Sequence, residues 1–215
     1  MAISLKKGQG VSLKKSDFDL SLVTIGLGWD INEEKKGLLG SIFGKKDDDY
    51  DLDVVAFLCD ANGKVQQIGN VDKDKGRFFV GGDIIFFNNL RHKSGCIWLT
   101  GDNRTGEGDG DDEQIIVKLN DLPNTYQKII FIVQIYNGNE LGQNFGKVKN
   151  AFIRAVDNKG KEMTRFDLSG GAGFSQYCSM LFAEMIRESS GWKFNAVGSP
   201  DPSDSFVTWL KQYCD

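Results

Sequence analysis

Apolar residues fall in short runs broken by turn residues along this 215-residue chain, a pattern that predicts strands far more often than helices. Leu22, Ile25, Leu27 and Trp29 mark a strand within Leu20–Trp29, and Leu52–Leu58 reads Leu-Asp-Val-Val-Ala-Phe-Leu. Further strands are expected at Lys64–Ile68, Ile84–Phe87, Ile97–Leu99, Gln114–Leu119, Ile129–Tyr136, Val148–Val156, Tyr177–Arg187 and Trp192–Val197. Between them lie Asp60-Ala-Asn-Gly63, Asn137-Gly138, Asp157-Asn-Lys-Gly160 and Ser189-Ser-Gly191, all turn formers. Short strands at this spacing predict an all-β fold, a two-sheet antiparallel β-sandwich with short helices. One or two helical turns are expected within Asn139–Phe145. A C-terminal helix is expected at Ser203–Tyr213, with Phe206, Val207, Leu210 and Tyr213 on one face and Ser203 or Asp204 as cap. With no internal repeat and no linker, residues 1–215 read as a single domain. Its strand pattern is interrupted by an inserted loop at 31–49, whose tip carries Leu38, Leu39, Ile42 and Phe43 between Lys pairs. That tip reads either as a flexible loop or as a contact patch for a partner or membrane.

Composition narrows the function classes. The 26 glycines and only three prolines suit tight turns rather than a helical bundle or a disordered linker. Net charge is −4, but acidic residues cluster at Asp47–Asp53 and Asp102–Glu113 while no comparable basic run exists, so no nucleic-acid partner is expected. There is no apolar leader and no stretch of 18 apolar residues, hence no transmembrane segment is expected. Cys59, Cys96, Cys178 and Cys214 lie far apart without a C-x-x-C pair. They read as free, mostly buried thiols in a cytoplasmic protein.

The chain offers poor material for nucleophilic catalysis. His92, the sole histidine, sits in the polar turn Arg91–Gly95 and reads as exposed. Neither a nucleophile elbow nor a phosphate-binding Gly-Lys loop occurs, and Gly26-Leu-Gly28 lacks a third glycine. The aromatics Phe86, Phe87, Trp98, Phe131, Phe152 and Trp192 read as core, Asn150 and Arg154 as structural polar anchors. A non-enzymatic role is therefore expected, with a metal-dependent hydrolase built on carboxylates as the alternative.

The chemistry concentrates in Thr100-Gly-Asp-Asn-Arg-Thr-Gly-Glu-Gly-Asp-Gly-Asp-Asp-Glu113, where Asp102, Glu107, Asp109, Asp111, Asp112 and Glu113 face a single Arg104. Such carboxylates repel one another unless a cation neutralises them. Gly106, Gly108 and Gly110 let main-chain carbonyls converge with them. Hard oxygen ligands in a flexible loop are what Ca²⁺ selects; Mg²⁺ asks for a tighter octahedron, and Zn²⁺ lacks its nitrogen and sulfur ligands here. An EF-hand fails, because Arg104 would stand at its third position and Glu107 at its sixth, where a turn glycine is needed. Asp30 ends one strand and Asp51 and Asp53 flank the start of another. The expected metal set is Asp30, Asp51, Asp53, Asp102, Asn103, Gly106, Gly108, Asp109, Asp111, Asp112 and Glu113, meeting at one rim as a multi-carboxylate cup.

Several blocks resemble one family. Gly26-Leu-Gly-Trp-Asp30, Asp51-Leu-Asp53 with Ala56-Phe57-Leu58, Phe86-Phe-Asn-Asn-Leu90 and Gly101–Glu113 with Gln114-Ile115 resemble the TerD family of tellurium-resistance stress proteins, as do Gln143–Arg154 and Gly191–Gly198. The resemblance spans about residues 1–198; the 31–49 insertion and the 199–215 segment depart from it. It implies a two-sheet sandwich holding Ca²⁺, expected as two ions, at one end, and a role in bacterial stress and tellurite resistance without catalysis. On that footing the domain would act as a Ca²⁺-dependent interaction or scaffold module. Its expected partners are other stress-response or tellurium-resistance proteins, with the inner membrane surface as a meeting place. A C2-like peripheral membrane binder is the further alternative.

Overall fold

The computed structural model describes residues 2–31, 50–100, 110–167 and 172–214. In chain order the elements are β1 (Ile3–Leu5), β2 (Gly10–Lys14), β3 (Val23–Ile31), β4 (Leu52–Cys59), β5 (Asn70–Asp72), β6 (Arg77–Val80), β7 (Ile84–Ile85), β8 (Ile97–Leu99), β9 (Glu113–Val117), β10 (Lys128–Ile135), α1 (Gly138–Leu141), β11 (Val148–Val156), β12 (Glu162–Asp167), a 3₁₀ turn (Ala172–Phe174), β13 (Ser179–Glu188), β14 (Gly191–Asp201) and α2 (Phe206–Tyr213). They form a first sheet in the order β1-β12-β11-β3-β9-β8, a second in the order β2-β14-β13-β10-β4-β7, and the small hairpin β5-β6. All large-sheet pairings are antiparallel except β1 with β12. The two sheets make the expected sandwich. No helix among the described residues is long and apolar enough to cross a membrane.

Alternation along the strands decides what fills the middle. Ile25, Leu27 and Trp29 of β3, Ile115 and Val117 of β9, and Ile153 of β11 meet Val54, Ala56 and Leu58 of β4 and Ile129, Phe131 and Val133 of β10 in one core cluster. The second sheet is apolar on its outer face too, because α2 covers it: Val55, Phe57, Ile130, Ile132 and Leu181 pack against Phe206, Trp209 and Leu210. This is why β4 and β10 read as nearly continuous apolar runs. The C-terminal helix starts later than expected, at Phe206, and its cap is Ser205, whose hydroxyl accepts from the Val207 amide at 3.4 Å.

Other differences have local causes. Lys64–Ile68 forms no strand: Asp60 Oδ1 accepts from the Asn62 and Lys64 amides, turning the chain, and the Val65 amide donates to the carbonyl of Tyr213. Asn137-Gly138 opens α1, with Asn137 in the left-handed region at φ 51°. β1, β2 and β12 escape the pattern because they are short or mostly polar. The expectation that Phe87 is core is wrong, since it is 41% exposed, and Trp98 is half-buried beneath the Arg91 guanidinium at 5.0 Å. The four cysteines are free thiols, three of them buried, and burial pushes the Cys59 thiol up to about 12.

His92 is the largest correction. Far from exposed, it is 2% accessible and tied into a polar cluster. The Ser94 amide donates to Nδ1 at 3.1 Å, so the ring proton sits on Nε2 and reaches Asp83 Oδ1 at 3.1 Å. Tyr126 donates to the same oxygen at 2.8 Å, and the Gln67 amide to Oδ2 at 3.1 Å. Burial alone would raise the Asp83 pKa, but these hydrogen bonds outweigh it and hold the carboxyl below its ordinary value. A depressed carboxylate adds stability above its unfolded pKa of about 3.9 and loses it as pH falls through the folded value. Asp83→Asn should therefore cost about 1–3 kcal/mol at pH 7. In urea unfolding at pH 7 and at pH 3, the gap between parent and variant should shrink at the lower pH. An equal gap at both would mean the cluster acts through packing and not through charge.

Candidate metal centre

The described acidic segments gather at one end of the sandwich, where β3 and β10 finish and β4 and β9 begin. Glu113 joins the two sheets there: it opens β9 in register with Leu27, is buried, and its Oε2 accepts the Val54 amide of β4 at 2.6 Å. Asp112 Oδ2 accepts the Trp29 amide at 2.9 Å while its own amide donates to the Leu27 carbonyl at 2.8 Å. Both carboxylates thus fix where the acidic loop rejoins the sheet.

Asp111 lies on a different face. Ile25, Leu27 and Trp29 point into the core, so Gly26 and Gly28 present bare backbone to the outer face of the first sheet. Gly26 stands in register between Arg154 of β11 and Gln114 of β9, and the Asp111 carboxylate rests over it. Arg154 Nε donates to Asp111 Oδ1 at 2.8 Å and Gln114 Nε2 to Oδ2 at 3.2 Å, with Arg154 also reaching Glu162 at 3.1 Å. Partial burial would lower the Arg154 pKa, but the bonds to Asp111 and Glu162 raise it overall, so the cation is secure. Above Gly28 sit the Phe152 ring and the Gly110 carbonyl. Arg154, read from sequence only as a polar anchor, is the clamp that holds this end of the acidic loop. No sequence motif marks it, but the flanking Gly-x-Gly is the visible trace of the space the clamp needs.

Asp51 and Asp53 occupy the outer face of the second sheet. Leu52 and Val54 face the main core while Val55 joins the cluster under α2, and Asp51 and Asp53 stand in register with Tyr136 and Gln134. Asp53 is buried, and its Oδ2 accepts from Gln134 Nε2 at 3.2 Å. Asp30 takes its place in β3 in register with Lys149. Asp102, Asn103, Gly106, Gly108 and Asp109 lie outside the described residues, as do Leu38, Leu39, Ile42 and Phe43.

Among the described candidates, Asp111 and Asp53 stand on opposite sides of the sandwich. Sheets stack about 10 Å apart, so Asp111 and Asp53, on opposite outer faces, cannot share one ion that binds ligands within about 2.6 Å. Among the described residues no three carboxylates surround one point. The donor chemistry nonetheless suits a hard cation: carboxylate and carbonyl oxygens throughout, with the one histidine committed to Asp83. Asp51, Asp53, Asp112 and Glu113 stand at that end of the sandwich, and the Gly26 cradle holds the return of the acidic segment in position.

The TerD domain family model matches residues 1–213. The chain is 68% identical over 213 residues to the tellurium resistance protein TerX of Serratia marcescens, covering 99% of this chain and all of that protein. It is 38% identical to general stress protein 16U of Bacillus subtilis, over 93% of this chain and 91% of the relative. Among solved structures, the crystal structure of a homologue of telluride resistance protein TerD from Streptomyces coelicolor matches with a TM-score of 0.58 and 21% identity, covering 87% of this chain and 94% of that one. At that identity the likeness speaks for the fold.

Proposed function

Because the chain belongs to the TerD family of tellurium-resistance and stress-response proteins, we propose that it is a non-catalytic module that binds Ca²⁺ at its acidic end and uses that end to engage other stress-response or tellurium-resistance proteins. The observation that supports this reading is that Asp51, Asp53, Asp112 and Glu113 all stand at the same end of the sandwich, where the Glu113–Val54 hydrogen bond ties the two sheets together. Placing carboxylates on separate faces suits two ions better than one. Bound Ca²⁺ would supply positive charge that draws the loop carboxylates together. The protein residues set the frame: Asp112 and Glu113 anchor the loop's return, and the Arg154–Asp111 pair holds it against the sheet. Phe87 and Tyr136, 41% and 45% exposed with rings 6.3 Å apart, add an apolar contact surface beside Asp51.

Calorimetric titration with Ca²⁺ and Mg²⁺ tests the metal, and pull-down with and without chelator tests the partner role. Ca²⁺ should bind, with Mg²⁺ competing weakly. Asp53→Asn should weaken Ca²⁺ at least about tenfold, equal to about 1.4 kcal/mol. In chelator the same variant should melt no lower than the parent, because it removes one of several like charges. Unchanged Ca²⁺ affinity in the variant places the ion elsewhere. Tight Zn²⁺ binding with none for Ca²⁺ overturns the reading.

A further inference from the structure

The outer face of the second sheet is apolar where α2 covers it and carries a polar row at the acidic end, with Lys128, Glu184 and Asn195 forming a separate polar group farther along the strands. Asp53 of β4, Gln134 of β10, Ser179 of β13 and Asp201 of β14 stand in register across four neighbouring strands. Paired residues in an antiparallel sheet project to the same side, so the row lies on the face that α2 covers. Burial of polar groups is tolerated only when each finds a partner, and here three of the four partner α2 or the turn that leads into it.

Gln134 is the junction. Its amide is buried, with Nε2 donating to Asp53 Oδ2 at 3.2 Å and Oε1 accepting the Phe206 amide at 2.6 Å. Phe206 opens α2, so that amide is one of the first-turn donors that the helix cannot satisfy internally. One neighbour along the row, the Ser179 hydroxyl accepts from Trp209 Nε1 at 2.8 Å, and Asp201 Oδ1 accepts from the Ser203 amide at 2.8 Å. Neither Phe206 nor Trp209 can leave without exposing the apolar face formed by Val55, Phe57, Ile130 and Ile132.

We propose that Asp53, Gln134 and the start of α2 form a latch through which Ca²⁺ at the acidic end controls how firmly α2 covers the second sheet. The latch rests on the reading of Asp53 as a Ca²⁺ ligand. A carboxylate held by a cation has one position and keeps Gln134 in the orientation that receives the Phe206 amide. With the cation gone, the Asp53 carboxylate loses the contact that fixes its position, and the Gln134 amide loses the partner that fixes its rotamer. Outer-shell hydrogen bonds to metal ligands orient those ligands in this way. Coupling of binding sites is reciprocal, so a docked α2 also raises Ca²⁺ affinity by the same factor. The partner-facing consequence is a Ca²⁺-dependent apolar surface: α2 closed over it when loaded, less firmly closed when empty.

The test is hydrogen–deuterium exchange of the full-length protein, in chelator and in saturating Ca²⁺, with Ca²⁺ binding measured on the same samples by calorimetry. In the parent, amides of 206–213 should exchange more slowly with Ca²⁺, by roughly five- to 150-fold for a coupling of ordinary size. Gln134→Met keeps the side-chain length while removing both hydrogen bonds, and should make exchange at 206–213 insensitive to Ca²⁺ while Ca²⁺ still binds. Gln134→Glu can still accept from the Phe206 amide but cannot donate to Asp53, and should likewise uncouple the helix. Ca²⁺ binding by the parent without any change at 206–213 overturns the latch and leaves the metal site standing. Retained Ca²⁺ sensitivity in both variants also overturns it. Absence of Ca²⁺ binding by the parent overturns the site reading and the latch together.

Discussion

Saturating Ca²⁺ is expected to raise the melting temperature of this protein by roughly 5–11 °C for each ion bound. The sign follows from the carboxylates. Asp51, Asp53, Asp112 and Glu113 stand at one end of the sandwich, and the sequence before Asp112 is rich in further acids. Like charges at one end repel one another, and a bound cation reverses that sign. Because the unfolded chain does not assemble the site, binding free energy becomes folding free energy. At free Ca²⁺ of about 100 times Kd the gain is roughly 2.7 kcal/mol per site. In a domain of this length each kcal/mol shifts the melting temperature by about 2–4 °C, which gives the range stated. Sodium chloride should reproduce only part of the shift, since screening softens repulsion without supplying a ligand partner. The check is a thermal melt in chelator, in excess Ca²⁺ and at matched ionic strength. A Ca²⁺ curve that overlays the salt curve would reduce the acidic end to a solvated surface.

Much of the sandwich was legible because strand alternation is a short-range signal. β4, β8, β10 and β11 fall within a residue or so of their expected bounds, since each carries an apolar run ended by a turn former. What escaped was set by distant partners. β1 and β12 are a parallel pair joined across most of the chain, and nothing in Ile3–Leu5 announces Thr164 as its neighbour. His92 looks like a turn residue from its polar neighbours, yet Asp83 and Tyr126, 9 and 34 positions away, bury it. The same limit applies to the site. Clustering of acids along the chain singled out the candidate segments, but the face each carboxylate takes depends on sheet register. Asp111 and Asp53 look equivalent in sequence; one is clamped by Arg154 and the other leans on Gln134.

Gly26 and Gly28 carry the second large prediction, because their role inverts the usual outcome of the substitution. Replacing a strand glycine by alanine at a compatible backbone angle stabilises by about 0.4–1 kcal/mol, mainly by restricting the unfolded chain. Neither glycine has a positive φ, so the backbone would accept alanine. The surroundings would not. A Cβ at Gly28 would stand 2.4 Å from two carbons of the Phe152 ring and 2.6 Å from the Gly110 carbonyl oxygen. That ring is itself pinned under the Arg165 guanidinium at 3.6 Å, so it has little freedom to yield. At Gly26 the Cβ would stand 2.2–2.3 Å from the Asp111 carboxyl atoms. Asp111 can move aside only by abandoning Arg154 and Gln114. Overpacking of this kind costs about 1–3 kcal/mol, which corresponds to a loss of roughly 2–12 °C in melting temperature for each variant. The two sites separate in a second background. With Asp111→Ala the obstacle over Gly26 is gone, so Gly26→Ala should become neutral or stabilising there, whereas Gly28→Ala should remain costly because Phe152 and Gly110 are untouched. A double-mutant cycle on Gly26 and Asp111 should therefore give a coupling of about 1–3 kcal/mol, the size seen for residues in direct contact. A Gly26→Ala penalty that persists unchanged without the Asp111 carboxylate would show that the glycine serves the strand and not the loop that folds over it.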